Sequence, residues 1–357
     1  MAIKVHSVIG LMSGTSLDGL DIAFCRFEKV RSRWKYQIIH AETIPYSGEW
    51  QTRLATLPKQ SAAFLAQTDA DLGHFMGTLT HEFMQKYNIT PDFIASHGHT
   101  VFHQPGSRLT TQIGKGAAIA AESGIPVICD FRSTDVALGG QGAPLVPIGD
   151  KLLFSEFDYC LNLGGFANIS FDQDGKRIAF DICPVNIVLN KLAALTGRPY
   201  DPDGILARSG RLIPLLLEKL NKLPFYHDPA PKSLGKEWVD QYITPLLEPF
   251  LSKPSAFVND LMHTFCEHIA MQVQRNTGTN RVNKLLITGG GALNQYLVER
   301  IRHHAAVQVI LPDIQTIQFK EALIFAFLGL LRWRNEVNCL ASVTGSKSDH
   351  PGGAIYL

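Results

Sequence analysis

Apolar and polar positions alternate in two separate stretches of the chain, and each stretch predicts a meander of three strands. In the first stretch, residues 6–12 and 20–27 flank a glycine turn at 13–19, and a third strand covers 36–44. The second stretch repeats this plan about 150 residues later, around a turn at 164–168. The sequence therefore predicts a duplicated fold.

Helical spacing of apolar residues predicts that helices follow each meander. A clear example is the stripe in 70–87, formed by Leu72, Phe75, Met76, Leu79 and Phe83. The same reasoning predicts further helices at 186–195, 257–275, 292–303 and 319–334. Short apolar runs predict additional strands at 91–96, 125–129 and 284–288, and a last strand at 352–356 that returns to the first domain.

A loop rich in Gly, Pro and Gln at 137–147 is the predicted domain boundary. The expected division is domain I, 1–136 with 338–357, and domain II, 137–337. Each domain then contains one meander with its glycine turn. The predicted fold class is α/β, with two duplicated domains around a central cleft.

Composition excludes several classes of protein. The chain of 357 residues has 33 Lys and Arg against 32 Asp and Glu, so its formal charge of +1 does not favour a nucleic-acid partner. The six cysteines are scattered, the N-terminus shows no secretion signal, and the longest apolar run, 322–331, is too short to cross a bilayer. We expect a cytoplasmic protein without a membrane partner.

The glycine turns are candidate phosphate-binding loops, because glycine lets backbone N–H groups approach an anion. A Walker loop or a dinucleotide fingerprint requires a helix after the turn, whereas an alternating strand follows the turn at 13–19. We therefore predict one phosphate-holding hairpin in each half, with the two turns facing across the cleft. A tight turn without a ligand is the structural alternative for either hairpin.

A third glycine loop, 288–294, runs from a strand into a helix and suits a purine or a sugar at a helix N-terminus. Close packing between strand and helix is its structural alternative. Asp18 and Asp21 are candidates to hold Mg²⁺ through water. The predicted nucleotide-binding residues are Gly14, Thr15, Ser16, Leu17, Asp18, Gly19, Leu20, Asp21, Gly164, Gly165, Asn168, Gly289, Gly290, Gly291 and Asn294.

Five motifs together resemble the anhydro-N-acetylmuramic acid kinase family. They are GLMSGTSLDGLD at 10–21, SHGHT at 96–100, GGQGAPLVP at 139–147, NLGGFAN at 162–168 and ITGGGALN at 287–294. Further matches at 200–204, 230–233 and 342–345 extend the resemblance over nearly the whole chain.

The resemblance implies a fold like that of actin, sugar kinases and Hsp70, the ribonuclease H-like ATPase fold, with ATP enclosed by the duplicated domains. It implies an ATP- and Mg²⁺-dependent kinase, forming a homodimer, that opens the ring of 1,6-anhydro-N-acetylmuramic acid and phosphorylates O6. The product would be N-acetylmuramic acid 6-phosphate, an intermediate of peptidoglycan recycling.

Asp181 matches the family's catalytic aspartate, and we expect it to be the base that activates water. Its structural alternative is a cap of the helix that follows, because Asp is a preferred capping residue. Glu321, near the start of the last long helix, is expected to assist by orienting the water or the base. The electrostatic preference of acidic residues for the first helical turn is the alternative for Glu321.

Arg132 and Asp135 lie in a region that the family uses for the sugar, and an arginine fork suits the lactyl carboxylate of a muramic acid. A surface ion pair between the two residues is the structural alternative. His97 and Thr100 are placed to contact sugar oxygens, and Asp18 is expected to contact the substrate as well.

One segment departs from the family. Where many members have Thr-Gly-Pro-Gly-Asn after the base, this chain has Ile182-Cys183-Pro184-Val185-Asn186. We expect activity to persist, with some change in substrate contacts. Cys183 has no base paired with it in the sequence pattern and is expected to be a packing residue.

Two alternative functions remain from the residues alone. His97 and His99, with His103 and a distant Asp, would suit a metal-dependent hydrolase. A nucleotide-binding module without catalysis is the other alternative, since one fold can serve unrelated functions.

Overall fold

Two antiparallel meanders organise the structure, a computed structural model that describes residues 4–14, 16–251 and 254–357. In the first meander, β1 pairs with β2 and β2 with β3. In the second, β7 pairs with β8 and β8 with β9. The six strands are β1 (Val5–Ser13), β2 (Gly19–Val30), β3 (Arg33–Pro45), β7 (Tyr159–Leu163), β8 (Phe166–Gln173) and β9 (Lys176–Pro184).

Each meander continues into a mixed sheet. In the first sheet β4 (Phe93–Gln104) and β6 (Val127–Cys129) are added in parallel beyond β1, and the sheet order is β12-β6-β4-β1-β2-β3, with β5 (Leu109–Ile113) paired to β4. In the second sheet β10 (Lys284–Thr288) and β11 (Gln308–Ile310) are added in parallel beyond β7, in the order β11-β10-β7-β8-β9.

The two sheets share one arrangement: three antiparallel strands followed by two parallel strands on the side of the first strand. This repeated order confirms the predicted α/β fold with duplicated sheets. The last strand, β12 (Ala354–Tyr356), pairs antiparallel with β6 in the first sheet, as the sequence predicted.

The helices cover the sheets. Those that precede the second meander are α1 (Gly48–Thr56), α2 (Ala62–Tyr87), α3 (Gly116–Ser123), α4 (Ser133–Ala137) and α5 (Val146–Leu153). Those that follow it are α6 (Asn186–Ala194), α7 (Ile205–Ser209), α8 (Pro214–Asn221), α9 (Lys236–Trp238), α10 (Thr244–Leu251), α11 (Pro254–Asn276), α12 (Gln295–His304), α13 (Ile314–Trp333) and α14 (Ala341–Thr344). Short 3-10 turns cover Leu57–Lys59, Pro105–Ser107, Pro202–Gly204, Pro224–His227 and Gly290–Leu293, and a π turn covers Val239–Ile243.

Contacts between Cα atoms divide the chain into two compact units, 1–153 with 319–357, and 154–318. Residues 137–153 and 319–337 belong to the first unit in this division. The domain limits expected from the sequence, 1–136 with 338–357 against 137–337, stay a prediction.

Helix α2 shows how local sequence signals and packing cooperate. The Ser61 hydroxyl accepts a hydrogen bond from the N–H of Phe64 and caps the N-terminus, and Asn88 ends the helix in a left-handed conformation. Leu72, Met76 and Phe83 of the predicted stripe are buried in the core of the first unit. Each fully buried side chain of this size contributes about 1.5–3 kcal/mol to the free energy of folding.

One helix, α13, is long and apolar enough to satisfy a length and composition test for membrane crossing, with a mean hydropathy of 1.4. Most of that stretch, 78%, is buried inside the protein. Leu323, Phe325 and Phe327 are among its buried residues. A buried core helix passes the same test, so this single helix is weak evidence for a membrane span.

Glycine permits a close contact between α13 and the first sheet. A Cβ at Gly10 on β1 would overlap the carbonyl oxygen of Ala322, and it would lie 3.0 Å from the Cβ of Ala326. The helix therefore lies directly on β1 at the level of Gly10. This contact places the residue before Ala322, Glu321, beside the first meander.

We predict that Gly10→Ala destabilises the protein by about 1–3 kcal/mol, because the added methyl group overlaps a backbone carbonyl, which cannot move aside as a flexible side chain can. Gly48→Ala is the matched control, since a Cβ at Gly48 at the start of α1 meets nothing within 4 Å. Thermal unfolding of both variants measures the difference. Equal midpoints for Gly10→Ala and Gly48→Ala would contradict the close contact.

Candidate active site

The turn between β1 and β2 lies beside an open depression. Within it, the Ser16 hydroxyl donates to Asp18 Oδ1 at 2.7 Å, and Leu17 adopts a positive φ of 60°. The depression, of about 560 Å³, is lined by the residues Ser16, Leu17, Asp18, Gln51, Thr52 and Ala55. A strand follows this turn, as predicted, and Thr15 lies outside the described residues. The predicted phosphate contacts of the turn stay a prediction.

The remaining predicted residues of this hairpin lie at the start of β2. Gly19 packs closely against β3, since a Cβ there would overlap the carbonyl oxygen of Ile44. Leu20 is a fully buried core residue. Gly14, by contrast, has space around it, with only Ser16 within 4 Å of an added Cβ. Gly19 and Leu20 thus fix the start of β2 by packing, whereas the turn has free space at Gly14.

Three carboxylates lie near one another in the first unit. Asp21 Oδ1 accepts a hydrogen bond from the Thr43 hydroxyl at 2.5 Å. Burial raises the pKa of Asp21, and the negative charge of Asp18 raises it further. Desolvation by the surrounding protein also raises the pKa of Glu321, with Asp21 as a second cause, whereas Arg132 and Lys320 lower it. Mutual repulsion of this kind is relieved when a cation binds.

Glu321 is exposed, but the surrounding protein desolvates it. Helix α13 begins at Ile314, but its backbone is non-helical at Phe319, so Glu321 lies in the first turn after this kink. The preference of acidic residues for a first helical turn therefore stays an alternative explanation for Glu321. The preceding residue, Lys320, forms a buried ion pair with Asp150, with 2.8 Å between Nζ and Oδ1.

Arg132 is held by His97 and by backbone. Its Nη2 and Nε lie 2.8 and 3.2 Å from His97 Nε2, and Nη1 donates to the carbonyl oxygen of Gly142 at 2.6 Å. Among the described residues, no ion pair joins Arg132 to Asp135, so the surface pair considered from the sequence is not formed. Arg132 instead belongs to a fixed network with His97, which lies in the middle of β4.

The network determines the protonation of His97. Its Nδ1 lies 2.9 Å from the carbonyl oxygen of Gly98, which requires a proton on Nδ1, so Nε2 is the acceptor for Arg132. Burial and the charge of Arg132 lower the pKa of His97 to about 3. Burial lowers the pKa of Arg132 to about 10, and the charge of Glu321 opposes this shift. His97 is therefore a neutral acceptor that orients a cationic fork.

His99 and Thr100 follow His97 on β4. His99 Nδ1 lies 3.1 Å from the Ser13 hydroxyl, which also accepts a hydrogen bond from the phenol of Tyr46 at 2.8 Å. The Thr100 hydroxyl is half-buried and accepts from Gln112 Nε2 at 3.4 Å. β4 is thereby tied to the end of β1, where the first glycine turn begins.

The carboxylate of Asp135 is fully buried. Its Oδ2 accepts from the N–H of Gly142 at 2.7 Å, and its Oδ1 accepts from the Thr344 hydroxyl at 2.7 Å. Its predicted contact with the sugar stays a prediction, and its observed partners are internal.

The geometry does not favour a metal-dependent hydrolase. The two ring nitrogens of His97 face Gly98 and the positively charged Arg132, and His99 Nδ1 faces Ser13. In the described part of the chain, no group of three metal-ligating side chains includes His97, His99 or His103.

The second glycine turn, like the first, joins the first two strands of its meander. Gly165 is exposed, and a Cβ there would meet nothing within 4 Å. The carbonyl oxygens of Gly164 and Gly165 accept the N–H groups of Asn186 and Ile187 at 3.2 Å, so the turn supports the start of α6. Asn168, exposed on β8, lies opposite Asp181 on β9.

Among the described residues, only one of the two carboxylate oxygens of Asp181 accepts a hydrogen bond. Its Oδ2 accepts from the backbone N–H of Leu234 at 2.8 Å, and its own N–H donates to the carbonyl oxygen of Lys232 at 3.0 Å. Oδ1 accepts no hydrogen bond from the described residues. Burial raises the pKa of Asp181, which the Leu234 N–H partly opposes. Asp181 lies within β9, and Val185 is the N-cap of α6, so Asp181 does not cap that helix.

The third loop is tightly packed against β7. A Cβ at Gly289, where φ is 81°, would lie 2.6 Å from Asn162 Oδ1, and one at Gly291 would lie 2.7 Å from the Cβ of Leu163. Asn294 Oδ1 accepts the N–H of Leu297 at 2.9 Å and caps α12. Gly290 has more space, with Asn186 3.8 Å away. Strand-to-helix packing thus accounts for two of the three glycines, and the predicted contact with the nucleotide stays a prediction.

The loop that holds Asp181 was not found from the sequence. The ammonium of Lys232 donates to the carbonyl oxygen of Phe225 at 2.8 Å and lies over the Phe225 ring, 4.7 Å from its centroid. These two contacts anchor the loop whose backbone, at Lys232 and Leu234, contacts Asp181. The motif at 230–233 was the only signal in the sequence that pointed to this loop.

Comparison with known proteins gives a family. The family model described as anhydro-N-acetylmuramic acid kinase matches residues 6–357. A protein of that name from Mannheimia succiniciproducens is 33% identical over 371 residues, covering 98% of each chain. Another from Pasteurella multocida is 35% identical over 375 residues, covering 98% of this chain and 96% of the relative. The chain belongs to the anhydro-N-acetylmuramic acid kinase family.

Membership in the anhydro-N-acetylmuramic acid kinase family confirms the predicted family and the predicted enzyme class, a kinase. It also supports the predicted use of ATP. The Mg²⁺ ion, the homodimer and the cytoplasmic location stay predictions.

Solved structures give a more distant comparison. The activator of the 2-hydroxyisocaproyl-CoA dehydratase from Clostridium difficile, with bound ADPNP, has a TM-score of 0.43 and 15% identity, covering 90% of this chain and 92% of that chain. A ROK family glucokinase from Streptomyces griseus has a TM-score of 0.37 and 11% identity, covering 92% of this chain and 99% of that chain.

We predict that Arg132→Met raises the pKa of His97, because the variant removes the positive charge beside Nε2. NMR of ¹⁵N-labelled imidazoles measures the titration, and Arg26→Met, at an exposed arginine of β2, should leave the His97 pKa unchanged. A charged His97 in the unsubstituted protein at about pH 5, where an ordinary histidine is charged, would contradict the assigned network.

Proposed function

We propose that this protein phosphorylates 1,6-anhydro-N-acetylmuramic acid at O6 with ATP while water opens the anhydro ring. The products are N-acetylmuramic acid 6-phosphate and ADP, and the reaction serves the recycling of peptidoglycan. Family membership supports the substrate, because the related proteins carry this sugar in their names.

The environment of Asp181 is the observation that carries the proposal. One carboxylate oxygen is fixed by the Leu234 N–H, and the other accepts no hydrogen bond from the described residues. The raised pKa makes the carboxylate a stronger base once it is deprotonated. A base for water requires this combination of fixed orientation, a free oxygen and raised basicity.

The reaction proceeds as one balanced displacement. Asp181 takes a proton from water, and the water oxygen forms a bond to C1. The bond between C1 and O6 breaks, and its electron pair stays on O6, which attacks the γ-phosphorus of ATP. The bond from the γ-phosphorus to the bridging oxygen then breaks with its electrons passing to ADP, and Asp181 returns its proton to solvent.

The glycine turns are assigned to the phosphates of ATP. In the first turn, the open position at Gly14 and the hydroxyl of Ser16 support this assignment. In the second turn, exposed Gly165 and exposed Asn168 support it. Backbone N–H groups in such turns bind anions without steric hindrance from a Cβ. The loop with Gly290 is assigned to the adenosine.

The carboxylates of Asp18 and Asp21 fit a magnesium ion, because their oxygens are the hard ligands that Mg²⁺ prefers and the negative charge of Asp18 raises the pKa of Asp21. When bound with ATP, the ion supplies charge neutralisation on the phosphates. Glu321 lies within electrostatic range of Asp21 and Arg132, and it is proposed to orient the reacting water.

Arg132 is proposed to bind the lactyl carboxylate of the sugar. His97 and the Gly142 carbonyl orient the fork, and a rigid fork loses less entropy on binding a carboxylate. Thr100 is proposed to contact a sugar hydroxyl. The burial of Asp135 does not favour its contact with the sugar.

We predict that Asp181→Asn lowers kcat by about 10²- to 10⁴-fold and leaves ATP binding nearly intact, because the amide keeps the shape but is not a base. Asp174→Asn is the matched control: it removes the same charge from the turn after β8, at a positive φ of 51° that Asn tolerates. Turnover of Asp181→Asn at the unsubstituted rate would refute the base assignment. ATP binding without any sugar turnover in the unsubstituted protein would instead indicate a binding module.

We predict that reaction in ¹⁸O-labelled water places the label on the C1 hydroxyl of the product and none in the phosphate, because water attacks carbon and O6 attacks phosphorus. Mass spectrometry of the product and of its released phosphate locates the label. Label in free phosphate would show hydrolysis of ATP, and unlabelled product would show phosphorylation without the attack of water at C1.

A further inference from the structure

Three side chains with different metal-ligand atoms meet in the first unit. Asp135 lies on α4, and Cys339 and His350 lie in the C-terminal segment. Their ligand atoms are all within 4.8 Å of one another. All three residues are buried, with 0%, 2% and 7% of their surfaces exposed. None of the catalytic or nucleotide-binding roles proposed above uses this group.

His350 presents an unsatisfied nitrogen to this group. Its Nδ1 lies 3.0 Å from the carbonyl oxygen of Ser348, which requires a proton on Nδ1 and leaves a lone pair on Nε2 of the neutral ring. Nε2 is buried and has no hydrogen-bond partner among the described residues. Its neighbour is Asp135 Oδ1 at 3.7 Å, which is too long for a hydrogen bond.

Two electron-pair donors therefore face each other in a buried site. Leaving a buried polar atom without a partner costs about 1–3 kcal/mol. A cation between the two atoms would give Nε2 of His350 a partner, and Oδ1 of Asp135, which already accepts from the Thr344 hydroxyl, would supply a further lone pair. Binding distances of about 2.0–2.2 Å to each atom match a separation of 3.7 Å.

The backbone holds the three residues in position. Asp135 is fixed by the N–H of Gly142 and the hydroxyl of Thr344. Cys339 and His350 form an antiparallel bridge, in which each N–H donates to the other's carbonyl oxygen at 3.1 and 3.2 Å. Gly140 completes the site, because a Cβ there would overlap Asp135 Oδ2.

We propose that Asp135, Cys339 and His350 bind a zinc ion. A thiolate, an imidazole and a carboxylate are the ligands of Zn²⁺, whereas Mg²⁺ and Ca²⁺ prefer oxygen alone. Binding removes one proton, from the Cys339 thiol, and the two negative ligands then balance the double charge of the ion. Movements of about 1 Å bring the ligand atoms to zinc distances, and a water takes the fourth position.

The ion's role is structural. It ties the segment that contains Cys339 and His350 to α4, and Arg132 is the residue before α4 begins. None of the three ligands belongs to the glycine turns assigned to the phosphates, so zinc is assigned no part in phosphoryl transfer. It stabilises the backbone that carries Arg132.

The test is a titration of the full chain with Zn²⁺, after reduction and removal of metals with a chelator. We expect one tightly bound equivalent and the release of about one proton per ion at neutral pH. Cys339→Ser and His350→Gln should each weaken binding by more than about 100-fold, because even the loss of a second-shell partner costs 10- to 100-fold. Cys25→Ser, at another buried thiol of the same unit, should bind zinc unchanged.

Co²⁺ provides a second measurement that does not depend on the folding of the variants. In the unsubstituted protein, one equivalent of Co²⁺ should give a thiolate-to-cobalt charge-transfer band with the intense visible bands of tetrahedral coordination. Absence of a tight equivalent, or of the thiolate band, would overturn the proposal. Equal zinc affinity in the unsubstituted protein, Cys339→Ser and His350→Gln would overturn it too.

Discussion

Close approach of backbone to backbone at glycine is the constraint on which the arrangement of both units depends. In the first unit, Gly10 lets α13 contact β1, and Gly19 lets β2 pass against the carbonyl oxygen of Ile44. In the second unit, Gly289 and Gly291 bring the third loop against β7. A side chain at any of these positions would displace a helix or a strand, and the polar groups at the strand ends would move with it.

Burial then determines the charge state of those polar groups. His97 is neutral because it is desolvated and faces a cation, and its neutral ring is what allows it to accept from Arg132. Asp181 gains basicity from burial, and a single backbone N–H limits that gain. The same low-dielectric surroundings make the unpaired Nε2 of His350 costly. Burial thus raises the basicity of the proposed base Asp181 and keeps His97 neutral, so that His97 can orient Arg132. It also leaves Nε2 of His350 in need of a partner at the proposed metal site.

Much of the fold was predictable, because strands and helices follow short-range patterns. The meanders, the stripe on α2 and the strand 284–288 were predicted from alternation and helical spacing, and the structure confirms them. Element ends were less accurate: β4 continues to Gln104, past the predicted end at 96, and α2 begins eight residues before the predicted start. Strand pairing and a serine cap decide those ends, and neither is part of the apolar pattern.

For the candidate site, the sequence by itself determined which residues are available and to which family their motifs belong. Only the tertiary structure decided which atoms meet. Leu234 contacts Asp181 across 53 residues, Arg132 reaches His97 across 35, and Thr344 reaches Asp135 across 209. The reason is physical: periodicity reports the face on which a residue lies, whereas a hydrogen bond depends on distance and angle between atoms that only packing brings together.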